Sequence, residues 1–156
     1  MKDVYERIRE LGYQLPPLPP CGGIYKPVRR VGNLLYVSGQ GATVNGIPEI
    51  VGKVGAECTL EQGQEAARLC TLNCLATLDN YLGDLNRIGS VVKVLGFIAS
   101  AKDFNMQPQV LNGCSQLLKD IFGEDGVGAR SAIGVSELPG NIACEVEYIF
   151  EIRPEE

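Results

Sequence analysis

Apolar or small residues recur at positions 67, 70, 74, 78 and 82, the spacing of one helical face. Thr59 opens this run with Gln62 three residues on as its capping-box partner, and Gly83 ends it. A second helix begins at Pro108 and places Val110, Cys114, Leu117, Leu118 and Ile121 on one face before Gly123 stops it. Residues 3–11 read as a short helix, and "QLPPLPPCGG" after it, with four prolines and two glycines, reads as an extended connector. Elsewhere the period is two. Cys144, Val146, Tyr148, Phe150 and Ile152 alternate with a polar set that includes Glu145, Glu147 and Glu151, predicting a strand over 142–152 with its apolar side on the core. Strands are also predicted over 130–136 and 91–99, and as a hairpin within 25–39 turning at Gly32-Asn33. Residues 45–55 form a loop with room for a short edge strand. The order β-β-(β)-α-β-α-β-β describes an α+β domain, one mixed sheet with two helices packed on one face.

The faces of that sheet follow from the alternation. Ile133 and Val135 are expected to join the core, which turns Arg130, Ala132 and Gly134 onto the face that carries Glu145. The run "VVKVLGFI" is apolar on both sides, with Val92, Val94 and Ile98 on one and Val91, Leu95 and Phe97 on the other. Two helices cover one face only, so the second face is expected to pack against further copies of the chain. At 100° per residue Asn112 projects almost opposite the apolar face of its helix, where a monomer offers it only water. A homo-oligomer with polar groups at the subunit boundary is therefore expected.

Composition narrows the function classes. A chain of 156 residues, 45% hydrophobic, is sized for a single domain, 1–156, without a second composition regime. Its charged amphipathic start lacks the apolar stretch of a signal peptide, and no segment approaches the roughly 18 apolar residues of a membrane span, so a cytoplasmic protein is expected. A net charge of −5 disfavours a nucleic-acid partner, since only Lys26, Arg29 and Arg30 cluster. The six cysteines are scattered without a CxxC and read as reduced, mostly buried thiols; no metal and no cofactor are expected. The absence of histidine removes Ser-His-Asp and Cys-His catalysis.

The candidate chemistry centres on "GVGARSAIGV", residues 126–135, where Arg130 has no acidic residue closer in sequence than Asp125. It is either a strand-end cation neutralising Glu145 or Glu147, or a planar fork that grips a carboxylate. The small residues around it leave room for a ligand. Glu145 is either an ordinary outward residue or a carboxylate that orients water. Tyr25 either packs on Pro27 or stands at a pocket mouth; Ser38 and Gly39 mark a strand end with exposed amides, and Ser38 lacks an activating base. Asn112 is a surface helix residue or a ligand at the boundary. Cys21, between Pro20 and Gly22, is the most exposed thiol, with no basic partner nearby in sequence.

The segments "VGNLLYVSGQ", "GDLNRIGSVVKVLGFIAS", "VLNGCSQLLKDIFG", "ARSAIGV" and "LPGNIACEVE" occur in an order that resembles the Rid (YjgF-type) proteins, reactive-intermediate enamine/imine deaminases. The N-terminal helix and connector, 1–24, precede a Rid-like core over 25–152, and with the longer loop near 45–57 the chain resembles a longer, chorismate-mutase-like branch. The resemblance implies a chorismate-mutase-like fold of the Bacillus type, a homotrimer, and sites at the subunit interfaces. It implies hydrolysis of 2-aminoacrylate or 2-iminopropanoate type substrates to 2-oxo acids and ammonia without a cofactor. The same architecture also serves non-catalytic 2-oxo acid binding or regulation, and members carry endoribonuclease L-PSP or translation-inhibitor labels. Carried over by motif, Arg130 falls on the carboxylate clamp, Glu145 on the acid near the attacking water and Tyr25 on the pocket tyrosine. Ser38 and Gly39 fall on the cleft-lining strand end, Asn112 on the interface asparagine, and Ala132 where many members carry a cysteine. The turn before Arg130 is slightly longer than in short members.

Overall fold

A computed structural model describes residues 2–154. These form three α-helices and seven strands, in the order α1 (Val4–Glu10), β1 (Val28–Val31), β2 (Leu34–Gly41), β3 (Thr43–Val44), β4 (Ile47–Pro48), α2 (Leu60–Leu82), β5 (Ile88–Ala99), α3 (Gln107–Phe122), β6 (Ala129–Val135) and β7 (Cys144–Ile152). Five strands build one mixed sheet, β1-β2-β7-β5-β6, in which β5 and β6 run parallel and every other pair is antiparallel. The parallel pair needs a crossover, and α3 supplies it. Among the described residues no helix is long and apolar enough to cross a membrane.

Helix α2 starts as its sequence dictates. Thr59 Oγ accepts from the Gln62 amide at 3.1 Å and the Gln62 side chain accepts from the Thr59 amide at 2.9 Å, while Gly83 closes the helix in the left-handed region at φ 75°. Such a cap is worth about 1 kcal/mol. Its Ala67, Cys70, Cys74 and Leu78 are fully buried with Val110, Cys114, Leu117 and Leu118 of α3 against Leu35, Val146, Tyr148 and Phe150 of the sheet. The helices touch at Gly113, where a Cβ would lie 2.1 Å from the Gln64 carbonyl oxygen, so only glycine permits this approach. The one phenol buried in this core is satisfied. Thr71 Oγ donates to the Ala67 carbonyl, which leaves Tyr148 to donate to Thr71 at 3.1 Å.

The expected hairpin turns at Gly32, whose φ is 61°, and the loop after it holds a second ribbon, β3–β4. Asn45 and Gly46 both take positive φ there, as a tight hairpin turn requires. The short helix expected over residues 3–11 is α1, which packs its buried Val4 and Ile8 against α3 and the turn after α2.

Two face assignments are corrected. The β5–β7 register shifts between Val91 and Lys93, so Val91 is buried on the helix side with Val94, and Val92 is 37% exposed. A bulge of this kind flips the alternation locally. In β6, Arg130 pairs with buried Val94, Ala132 with Gly96 and Gly134 with buried Ile98, so these three face the helices, and Ile133 is 44% exposed on the other side. The cause is steric. The start of α3 sits over this edge: a Cβ on Gly96 would meet Leu111 at 2.5 Å, and one on Gly134 would meet the Gln107 side chain at 2.8 Å. The helix side of β6 therefore takes small residues, and the β-branched ones turn away. Glu145 pairs with Phe97 on the open face, so Arg130 and Glu145 lie on opposite faces of the sheet rather than sharing one.

Candidate functional site

Between the Val37–Tyr148 and Gln40–Val146 pairs, two residues of β2, Ser38 and Gly39, oppose one of β7, Glu147. This bulge bends β2 beside the segment that leads into β1. Ser38 ties the two together: its amide donates to the Pro27 carbonyl at 2.9 Å and its hydroxyl to the Lys26 carbonyl at 2.7 Å. Its proton is thereby committed to the backbone. Gly39 brings its backbone against Glu145, since a Cβ there would stand 3.0 Å from the Glu145 carboxyl carbon and Oε2.

Glu145 is half-buried. No hydrogen bond or ion pair from a described residue reaches its carboxylate. Burial, and then the charge of Glu147, raise its pKa above the usual glutamate value. The carboxylate lines a cavity of about 310 Å³ together with Tyr25, Gly39, Pro139 and Gly140. Tyr25 is 49% exposed, and its hydroxyl accepts from the Gly22 amide at 3.1 Å, which holds the phenol at the cavity mouth. Cys21 lies on the same rim with its Sγ 3.2 Å from the Tyr25 carbonyl oxygen.

Arg130, Ala132 and Asn112 are elsewhere. Strand β6 is separated from β7 by β5, about 10 Å at the usual strand spacing. On the helix side of that edge Arg130 donates to Ser115 Oγ at 3.1 Å and to the Pro108 carbonyl at 3.3 Å. Both acceptors are neutral, and no described carboxylate pairs with the guanidinium. The alternative of Arg130 as a counter-charge for Glu145 or Glu147 is thus set aside. Asn112 is exposed on α3, four residues beyond Pro108 and three before Ser115. It therefore shares the helix face that Arg130 crosses. The predicted residues form two groups: Tyr25, Ser38, Gly39 and Glu145 around the cavity, and Arg130, Asn112 and Ala132 at the far edge.

Sequence reasoning passed over Pro48, Pro139 and Ile142 as cavity walls. Prolines in a loop signal only a turn, although Pro139 stood inside the "LPGN" motif. The buried thiols offer no second chemistry: burial pushes Cys114 up to about 12 and raises Cys70 and Cys74 well above the ordinary thiol value, which keeps them protonated. Among the described residues no three His, Cys, Asp or Glu side chains gather as a metal centre requires.

Residues 6–152 match the family described as "YjgF/chorismate_mutase-like, putative endoribonuclease". The chain belongs to this family. Within the YjgF/chorismate-mutase-like proteins it is 40% identical to a solved protein of unknown function from Agrobacterium tumefaciens, over 96% of this chain and 94% of that one, with a TM-score of 0.88. Protein TCP17 of Trypanosoma cruzi is 37% identical over 151 residues, 96% of this chain and 94% of its own length. A 2-iminobutanoate/2-iminopropanoate deaminase of Dermatophagoides farinae is 30% identical over 139 residues, 88% of this chain and 93% of that protein. The mixed sheet with its helices on one face is the fold shared with these YjgF-type relatives.

Proposed function

We propose that the protein hydrolyses imines of 2-oxo acids, adding water to the imine carbon and releasing ammonia and the 2-oxo acid. The observation that carries this reading is Glu145: a half-buried carboxylate without a partner among the described residues, its pKa raised by burial, facing a cavity beside the Gly39 backbone. A carboxylate so placed holds a water and takes its proton as the oxygen adds to carbon. The proton passes to the nitrogen to give a carbinolamine; its hydroxyl proton then moves to the nitrogen by way of the carboxylate as the carbon–nitrogen bond breaks, leaving the 2-oxo acid carbonyl and free ammonia. The substrate is intrinsically reactive, so positioning and charge stabilisation suffice. The relationship to an imine deaminase supports this reading.

The substrate carboxylate needs a cation, and among the described residues no cation lines the Glu145 cavity. Arg130 has the bidentate geometry and no carboxylate of its own. Its place on the opposite face and far edge supports a reading in which it serves the Glu145 cavity of another copy. The site is thus shared in a closed homo-oligomer, a homotrimer, with Arg130, Asn112 and Ala132 from one subunit and Tyr25, Ser38, Gly39 and Glu145 from its neighbour. The half-buried apolar residues Leu95, Phe97 and Ile149 on the open face supply surface for that assembly. The test is ammonia release from 2-iminopropanoate and larger 2-imino acids generated in situ. Acceleration abolished by Glu145→Gln supports hydrolysis. Binding of 2-oxo acids without acceleration of any imine makes the protein a small-molecule binder instead.

A further inference from the structure

We infer that the Glu145 cavity accepts 2-imino acids with a neutral, branched or aromatic side chain in preference to the methyl-bearing 2-iminopropanoate, an inference that rests on the hydrolytic reading above. On this chain alone the cavity is an open cleft of about 310 Å³, before a second copy covers it. At about 30 Å³ for each water of the liquid, that is room for roughly ten waters. A substrate whose side chain is one methyl leaves most of it filled by solvent.

What lies beyond Glu145 decides the chemistry of the extra space. The wall is made by Pro20, Thr43, Pro48 and Ile142, and Glu145 is the single charged residue among those lining the cavity. An acidic side chain would meet no cation on this chain's wall, would compete with the substrate's own carboxylate for the neighbouring copy's Arg130, and would stand in the same cavity as the Glu145 carboxylate. An apolar one finds proline and isoleucine surface.

The walls are also held open. Gly46 and Gly140 both adopt positive φ, at 76° and 67°, and a Cβ on them would lie 2.8 Å from Pro20 Cγ and 2.9 Å from Pro48 Cγ. Connector, β3–β4 ribbon and the turn before β7 are therefore seated directly on one another at positions that admit only glycine. Asn73 of α2 anchors the ribbon from beneath, donating to the Gly41 and Thr43 carbonyls at 3.0 and 2.8 Å. Prolines fix the backbone on both sides of these contacts. A cavity built this way does not collapse on a small ligand, so its volume is realised as affinity only by a substrate that fills it.

The experiment uses the purified full chain with imines generated by an L-amino-acid oxidase from alanine, leucine, phenylalanine and glutamate, and compares kcat/KM. Each additional methylene buried is worth about fourfold. The leucine- and phenylalanine-derived imines should exceed the alanine-derived imine at least tenfold, with the glutamate-derived imine below both. Turnover of the alanine-derived imine at an equal or higher kcat/KM overturns the inference and leaves the hydrolytic reading standing. No turnover of any imine overturns the hydrolytic reading and this inference together. Thr43→Phe places a ring in the extra space and should lower the leucine-to-alanine ratio at least tenfold; an unchanged ratio places the side chain elsewhere and overturns the inference. If that variant fails to fold by circular dichroism, Thr43→Leu gives the same reading.

Discussion

Two inactive variants should restore each other when assembled together. Within one chain Arg130 aligns with Val94 on the helix face and Glu145 with Phe97 on the open face, two strands apart in the sheet. A site that needs both must draw them from two copies. Arg130→Ala chains alone and Glu145→Gln chains alone contain no complete site, and losing a positioned acid or base typically costs 10²–10⁴ in rate, so each should run at roughly 1% or less. In an equal mixture a site is intact when its arginine comes from a Glu145→Gln chain and its glutamate from an Arg130→Ala chain. Each condition has a chance of one half, so about a quarter of the sites are intact whatever the size of the ring. Oligomers assembled at random from equal amounts of the two variant chains, without selecting for mixed rings, should therefore recover on the order of a quarter of the wild-type ammonia release per site. A control distinguishes the geometries again: wild type mixed equally with the double variant should give about a quarter of full activity for a shared site, against about half for a site inside one chain. Activity of the mixture no higher than the mean of the two variants alone refutes the shared site.

Four further outcomes follow from the same geometry. Arg130→Lys retains charge but not the fork, so calorimetric affinity for pyruvate or 2-oxobutanoate should fall about tenfold or more, while Arg130→Ala, which gives up only bonds to Ser115 and the Pro108 carbonyl, should cost no more than about 2 kcal/mol of stability; unchanged affinity in Arg130→Ala would falsify the clamp. Because burial raises the Glu145 pKa, the wild-type pH–rate profile should lose activity on the acid side with a midpoint above the ordinary 4.5. The same shift means that the folded chain binds more protons than the unfolded one between 4.5 and the raised value, so stability falls as pH rises through that window; Glu145→Gln should raise the melting temperature at pH 7 and give no gain well below 4.5, and a lowered melting temperature at pH 7 would contradict the unpartnered carboxylate. Gly39→Ala puts a Cβ 3.0 Å from the Glu145 carboxyl, the end of a flexible side chain, so thermal melts should change little while imine turnover drops at least tenfold; full turnover would show that Glu145 need not stay where it is.

Local signals in the sequence carried most of the fold. The limits of α2 were legible because Thr59, Gln62 and Gly83 each act on the backbone within a few residues. The core side of β7 was legible because four of its outward positions hold glutamate or isoleucine against an unbroken apolar set. Strand β6 was misread for a physical reason. Alternation separates two faces without saying which is inside, and Ile133 and Val135 look like core by their hydrophobicity. The deciding facts are tertiary: β6 lies at the sheet edge beneath the start of α3, in parallel register with Gly96, where Leu111 leaves no room for a branched side chain. Nothing near Val91 marks the bulge that moved it to the helix side. The gathering of Tyr25, Ser38, Gly39 and Glu145, distant in sequence, was available only through the family resemblance, because composition and periodicity do not bring residues on separate strands together.

The corrected face of β6 strengthens the functional reading it first appears to disturb. Had Arg130 and Glu145 shared a face, their mutual attraction would have explained both residues as a structural ion pair and left nothing over for a substrate. On opposite faces each keeps unused capacity. Arg130 donates to two neutral oxygens, which hold its direction without cancelling its charge, and Glu145 is half-buried without a donor from any described residue. Burying a carboxylate with no partner costs stability, and a fold has no packing reason to do it at the end of a strand whose next outward residue, Glu147, remains exposed. The cost is understandable if the carboxylate meets its water, and an arginine-held substrate, only when a second copy closes over the open face. In the shared site proposed above, separation of the two charges within one chain also prevents them from quenching each other before assembly, and every copy would contribute to two sites.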